Sequence, residues 1–373
     1  MITVAVDSGP LHGPMTGIGR AVEGILHEFA DRPDEISVIP YLVSRRAPLR
    51  PGTRRLPYPA AVAMRVWAHW DRPLVDRLIR PALVIHGTNY VVPPARIPRV
   101  VSVYDTWALR NPESCSAVVN RAMAVLRRTI RTGAIVHASS HATAESLREI
   151  FPSAPVRVVH LGSPRPTRND SSTSHDRVRV LPQLTGSDNP YVLSVGTIER
   201  RKNFPRLIEA FTRTEAARSG IRLVIAGSPG DDIENVRSAI DALGPHRRAS
   251  IVLLGRVSEQ SLDVLYEHAA MLAYPSLDEG FGFPILEAMS HGVPVLGSDR
   301  GSIPEIAAAA AILVDPVDLD AMAGSIDRLQ ADSSLRESLR TKGFDRCEHF
   351  SWRRTADGLV DLYSTAASRE DVS

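Results

Sequence analysis

The sequence predicts an α/β protein of two domains, each a parallel sheet with helices on both faces. Three observations carry that expectation. The chain has 373 residues, the length of two ordinary domains. Short β-branched runs alternate with helix-length segments, as when strands are joined by crossover helices. Most of these runs are apolar on both sides, as strands are when neither face of the sheet meets water.

The first half has strand candidates at 2–7, 36–41, 83–86, 100–104, 134–138 and 156–160. Between 154 and 189 the periodicity fails: Pro155, Pro164, Pro166, Pro182, Gly186, Pro190 and the polar run 169–175 read as a connection. Strand candidates resume at 191–196, 223–227, 251–255, 271–274, 293–297 and 311–314, and 318–329, 334–349 and 351–366 read as closing helices. The expected division is a domain over 1–165, a linker over 166–189, a second domain over 190–350, and a closing helix over 351–373 that packs back towards the first domain. Ligands of such sheets bind beyond the carboxyl ends of the strands, so two facing Rossmann-like domains predict a cleft between them.

Composition narrows the function. Hydrophobic residues make up 43% of the chain, enough for two interiors, yet no stretch approaches the ~18–20 apolar residues of a membrane span. The N-terminus runs straight into a strand pattern without a basic leader, which points to the cytoplasm. Cys115 and Cys347 make neither a disulfide framework nor a metal cluster. A net charge of +2 is too small to argue for nucleic acid. Only Lys202 and Lys342 are lysines among 44 basic residues, so a lysine at a motif position calls for an explanation.

The most specific segment runs from Tyr274 to Val295. A strand ends at Tyr274, a glycine-rich loop follows, and Pro284 suits the first turn of a helix. Such a loop points backbone N–H groups and the positive helix end at an anion. Gly280 and Gly282, beside Phe281 and Phe283, let the backbone approach a diphosphate closely. Glu279 lies at the loop mouth, where it can accept hydrogen bonds from sugar hydroxyls. Glu287 can take two ribose hydroxyls, as acidic residues do in dinucleotide sites. The bland alternative is a tight turn with two solvated carboxylates. Two carboxylates eight residues apart around Gly-Phe-Gly-Phe-Pro argue against it.

This segment resembles the Glu-x7-Glu signature of the retaining glycosyltransferases of family four, which share the GT-B fold. Val195-Gly-Thr-Ile-Glu-Arg-Arg-Lys-Asn203 is similar to the family's phosphate-binding strand end. Leu253-Leu-Gly-Arg-Val257 resembles the stretch that lines the nucleotide base, which brings in Arg256 and Val257. The segments 299–305 and 313–316 fit the family's closing elements. The resemblance implies a first, acceptor-side domain and a second, nucleotide-sugar-binding domain. It implies transfer of a sugar from a nucleotide-diphosphate donor to a hydroxyl acceptor with retained configuration, in glycan, glycolipid or glycosylated-metabolite synthesis. Lys202 matches the phosphate-binding lysine, a compact charge suited to a phosphate oxygen. Where many members carry arginine directly after the strand glycine, this chain has Thr197, and Arg201 is the candidate substitute. The Gly-Thr-Ile-Glu-x-Arg-Lys-Asn pattern leans towards GDP-mannose. No metal or other cofactor is expected: Asp318 and Asp320 mimic an Asp-x-Asp motif but sit where aspartate caps a helix.

In the first half, the resemblance implies that Gly17 and Gly19 let a loop close over the donor; the alternative is a turn before a helix. Val101–Trp107 matches an element that usually reads His-Asp, and this chain has Tyr104 in place of the histidine. Asp105 is then either an acceptor-positioning or proton-accepting group, or a cap. His86, in His-Gly-Thr-Asn-Tyr90, is a second acceptor-side candidate, as in some mannosyl- and rhamnosyltransferase-like members, against a hydrogen-bonded loop histidine. His137 and His141 read as structural. The segment 45–80 holds nine arginines with Tyr58, Trp67 and Trp70 interleaved, and 60–70 has the pattern of an amphipathic helix. That surface would suit an anionic membrane or a lipid-linked acceptor; a solvated face is the alternative. The rival functions are a sugar-nucleotide epimerase and a non-catalytic nucleotide-sugar-binding subunit. An NAD-dependent oxidoreductase is disfavoured, because neither half carries a complete Gly-x-Gly-x-x-Gly with its distal acid.

Overall fold

The computed structural model describes residues 1–13, 15–163 and 189–368. The chain forms two compact units, one of residues 1–162 with 350–373 and one of residues 163–349. The connection expected over 166–189 lies, but for Asn189, outside the described residues.

The first unit holds seven parallel strands: β1 Ile2–Asp7, β2 Ile36–Val43, β3 Arg54–Leu56, β4 Val84–Gly87, β5 Arg99–Val103, β6 Ile135–Ala138 and β7 Val156–Val158. Their order is β3-β2-β1-β4-β5-β6-β7. Val4, Val6, Val84, Ile85, Val100, Val101 and Val136 are wholly buried, as strands covered on both faces require. β3 has no counterpart among the expected strands. It is a short edge strand whose two arginines carry no β-strand signal, and edges of this kind discourage further pairing. Arg55 spans the edge by donating to the carbonyls of Ser44 and Ala47.

The last helix, Trp352–Ser368, belongs to this unit. The Trp352 ring fills the space that a Cβ on Gly24 would need, and Arg32 pairs with Asp357 at 2.5 Å. Thr355 donates to the His160 carbonyl at 2.8 Å. The Tyr363 hydroxyl reaches into the sheet, as described below.

The second unit holds six parallel strands: β8 Tyr191–Val195, β9 Arg222–Ala226, β10 Ile251–Gly255, β11 Ala269–Tyr274, β12 Val295–Ser298 and β13 Ala311–Val314. Their order is β10-β9-β8-β11-β12-β13. Its core joins Val192, Leu223, Ile225, Met271 and Ala273 of the sheet to Phe204, Leu207 and Phe211 of the helix Phe204–Arg213. Asp318 caps the helix Leu319–Ala331 by accepting the Ala321 N–H at 2.9 Å, and Asp320 pairs with Arg213. No helix among the described residues is long and apolar enough to cross a membrane.

Candidate functional site

Strand order locates the site. In the second sheet the chain runs outward from β8 through β9 to β10, then returns to start the other side at β11. The topological switch point therefore lies between β8 and β11, and ligands of open α/β sheets bind at the carboxyl ends of the strands there. The loops leaving those strands are 196–203 and 275–282, which carry the two most specific motifs. The Leu277 N–H donates to the Arg201 carbonyl at 2.7 Å, tying them together. Asn203, at φ 62°, donates to the carbonyls of Pro275 and Pro316. Gly196 has φ +147°, and a Cβ there would meet the Lys202 stem at 3.2 Å. The lysine stem therefore packs closely over Gly196, where the positive φ also disfavours a side chain.

Lys202 and Glu279 are 7% and 6% exposed and form a direct ion pair. The Lys202 ammonium also donates to the Tyr274 hydroxyl at 2.5 Å and lies 4.7 Å from that ring's centroid. Arg201 donates to the other Glu279 oxygen at 3.0 Å and to Glu199 at 2.8 Å. Burial alone would raise the Glu279 carboxyl, but Lys202 and Arg201 overcome it and hold the group at about 2. Burial pushes Lys202 down, and neighbouring Arg201 adds to that, against the pull of Glu279. Glu279 was expected at the loop mouth, free to meet sugar hydroxyls. In this structure it is instead the buried counter-ion of two cations.

The glycine-rich loop ends at Gly282, which has φ +90° and caps the helix Phe283–Ser290. Left-handed backbone here turns the chain into the helix, and Pro284 occupies its first turn. Phe281 and Phe283 are buried edge to face, 5.2 Å apart, so Gly280–Phe283 can offer a ligand its backbone rather than its rings. Glu287 is 5% exposed and accepts from the Tyr266 hydroxyl at 2.8 Å. Thr197 is exposed after β8. Exposed Arg256 and half-buried Val257 follow β10, which β9 separates from β8.

The first sheet has its own switch point, between β1 and β4. Asp7 ends β1 there, a residue that sequence reasoning passed over because an aspartate before Ser-Gly-Pro reads as a turn former. Its Oδ1 accepts the Gly9 N–H at 2.8 Å, and Thr88 donates to its backbone carbonyl at 2.9 Å. Burial lifts the Asp7 carboxyl to about 6, against the hydrogen bonds from Gly9 and Thr88. Tyr104, in the place of the expected histidine, is 7% exposed, with its hydroxyl buried near Ser102. Burial raises that phenol, Ser102 opposes the rise, and the Asp7 charge adds to it. Asp105 is half-buried and its Oδ1 accepts the Trp107 N–H at 3.1 Å, a capping contact.

Three expectations are corrected. His86 has no exposed surface, and both its ring nitrogens are engaged. His137 Nε2 faces the Val159 carbonyl at 2.9 Å and must donate. Its Nδ1 therefore accepts from Ser102, whose oxygen accepts from His86 Nε2, leaving His86 Nδ1 to accept from Tyr363. Burial holds His137 at about 4 and His86 well below its usual range, so both are neutral links latching the last helix to the sheet. Gly17 and Gly19 are not in a loop. They form the first turn of the helix Gly17–Ala30, where Thr16 caps the Gly19 N–H. A Cβ on Gly19 would lie 3.1 Å from the Pro10 carbonyl oxygen, so close packing explains that glycine. Trp67 is 2% exposed and packs edge to face on Tyr58, whereas Trp70 is 64% exposed. The helix stops at Trp67, so the two tryptophans share no face.

In the second unit, residues 182–346 match the family described as glycosyl transferases group 1. That match covers the second unit only and does not extend over the whole chain. Over 174 residues the chain is 35% identical to the O-antigen chain mannosyltransferase B of Escherichia coli, covering 46% of this chain and 45% of that protein. The match thus spans less than half of that relative's length. Among solved structures, the sucrose-phosphate synthase of Thermosynechococcus elongatus superposes with TM-score 0.73 at 17% identity, over 99% of this chain and 100% of that one. Anabaena HepE in complex with UDP-glucose superposes with TM-score 0.72 at 18% identity, over 98% and 100%. At such identities the likeness establishes the fold, which is GT-B, two Rossmann-like units with the group 1 match in the second.

Proposed function

We propose that the chain is a retaining glycosyltransferase that moves a sugar, mannose in the favoured reading, from a nucleotide-diphosphate donor to a hydroxyl acceptor. The observation that carries the reading is the cluster of Lys202, Arg201 and Glu279 at the second sheet's switch point, with the helix Phe283–Ser290 starting nearby after its cap Gly282. Two buried or half-buried cations paired with one buried carboxylate, with Glu199 against Arg201, make a neutral cluster. A diphosphate offers those cations a second, stronger set of oxygens, and the adjacent helix start favours the same charge. A mannosyltransferase relative and a neighbour solved with UDP-glucose support the class of donor.

In the proposed step the bond from the anomeric carbon to the diphosphate oxygen breaks and a bond from the acceptor oxygen to that carbon forms on the same face. The acceptor proton leaves with the departing diphosphate. Charge develops on the leaving group, so preorganised donors there supply much of the rate. Lys202 and Arg201 are assigned that charge, and this chemistry calls for no metal. Glu287 is assigned the ribose, and Glu279 the alignment of the cations and the sugar. On the acceptor side, Asp7, which ends β1 at the first sheet's switch point, and Asp105, in the loop after β5, the strand beside β4, are assigned the acceptor hydroxyls.

The test is incubation with a panel of nucleotide sugars, GDP-mannose and UDP-glucose among them, while free nucleotide diphosphate is followed. Slow hydrolysis without acceptor, stimulated by a sugar acceptor, is the expected result. Isomerised donor would replace the reading with epimerisation, and binding without turnover would replace it with a non-catalytic subunit.

A further inference from the structure

Glu287 is held from two directions by residues outside its motif. It is the fifth residue of the helix Phe283–Ser290, and His291 follows one turn later. Asp263 and Tyr266 are one turn apart on the helix Glu259–His268, so each helix presents a spaced pair to its neighbour. The Tyr266 hydroxyl donates to Glu287 Oε2 at 2.8 Å, and Tyr266 is 1% exposed. The Tyr266 ring lies stacked on the His291 imidazole, with centroids 5.3 Å apart and planes 24° apart. His291 Nδ1 faces the Glu287 carbonyl at 2.8 Å and must donate to it. Its Nε2 faces Asp263 Oδ1 at 3.5 Å. Burial opposes a charge on this ring, but Asp263 and the Glu287 carbonyl overcome it and raise the group above its ordinary value.

The physical consequence is a carboxylate with little freedom. A free glutamate side chain samples many rotamers, and fixing one costs free energy at the moment of binding. Here the backbone of Glu287 is tied to His291 and its carboxylate to Tyr266. A carboxylate oxygen has two lone pairs, so Oε2 can accept from Tyr266 and still accept from a ligand.

We propose that Tyr266 is a positioning residue, whose hydroxyl, oriented by the stacked His291 and its partner Asp263, sets the Glu287 carboxylate for the two adjacent hydroxyls of a nucleotide ribose. This rests on the donor-site reading of the second unit. Tyr266 is assigned no contact with substrate and acts on it through the Glu287 carboxylate that its hydroxyl holds. Its loss therefore affects only ligands that carry the diol.

Calorimetry with GDP and UDP and with their 2′,3′-dideoxy forms tests this. Tyr266→Phe keeps the stacked ring and removes one hydroxyl. The expected result is a loss of about 5- to 10-fold in affinity for the ribonucleotide, the scale of one hydrogen bond, with the dideoxy form unaffected. Glu287→Gln should lose more, and Tyr266→Phe in that background should add nothing further. An unchanged ribonucleotide affinity in Tyr266→Phe, or equal losses for the ribo and dideoxy forms, would overturn the proposal while leaving the donor-site reading intact. A wild-type protein that binds neither GDP nor UDP would overturn both.

Discussion

Replacing Asp7 by asparagine should make the first unit more stable at neutral pH and remove a pH dependence that the wild type shows. Asp7 ends β1 with its carboxyl lifted from 3.8 to about 6, chiefly by burial. Between those values the folded protein holds a proton that the unfolded chain has released, so stability falls as pH rises through that window. A displacement of about 2 units is worth about 3 kcal/mol, lost in full above pH ~6. Asparagine has nearly the same shape, keeps an oxygen for the Gly9 N–H, and carries no charge to bury. Asp7→Asn should therefore match the wild type near pH 4 and exceed it by up to about 3 kcal/mol at pH 7. Thermal unfolding from pH 4 to pH 7 measures the difference. A destabilisation of similar size at every pH would refute the argument, since it would mean that the ionised carboxylate makes favourable contacts. The gain in stability should be accompanied by loss of transfer to acceptor, the usual exchange where a strained charge is retained for function.

Other consequences concern both units. Glu279→Gln strands a buried ammonium beside Arg201 and should cost about 3–5 kcal/mol at pH 7, read by denaturant unfolding. In the wild type, the stability that Glu279 contributes above pH ~4.5 should be lost as pH falls towards ~2, and the mutant should lack that acid limb. Nucleotide-diphosphate binding should survive this mutation while transfer is damaged; equal loss of both would contradict the assigned roles. Trp67→Ala should destabilise the first unit by about 3–5 kcal/mol as a core truncation, whereas Trp70→Ala should be close to neutral; comparable effects would contradict the assignment of Trp67 to the core. If the basic segment meets anionic lipid, replacing exposed Arg45, Arg46 and Arg54 by glutamine should weaken co-sedimentation with anionic vesicles, and more at low salt. A wild type indifferent to lipid charge and salt would leave the segment as a solvated face.

The parallel strands were legible because burial on both faces leaves little but aliphatic residues, as at Val192–Leu193 and Leu223–Ile225. β3 was not, because an edge strand needs no such composition, and Arg54-Arg55-Leu56 looks like any basic turn. Lys202 stood out through its rarity. Its partners Glu279 and Tyr274 were within reach of a motif, but their mutual pairing was not, since motif spacing says nothing about who neutralises whom. His86 misled because polar neighbours such as Thr88 and Asn89 suggest an exposed loop, while the partner that explains it, Tyr363, lies 277 residues away. Asp7 was invisible for a related reason. It is half-buried where β1 meets β4 at the switch, a property of strand order that no local pattern encodes.

The central claim is that the cations at the second sheet's switch point stabilise a departing nucleotide diphosphate. Turnover of nucleotide sugar by Lys202→Ala, in a mutant shown to be folded, tests it most directly. The account predicts a fall of roughly 10²–10³, the scale of losing one charge-stabilising donor. Turnover close to that of the wild type would contradict it.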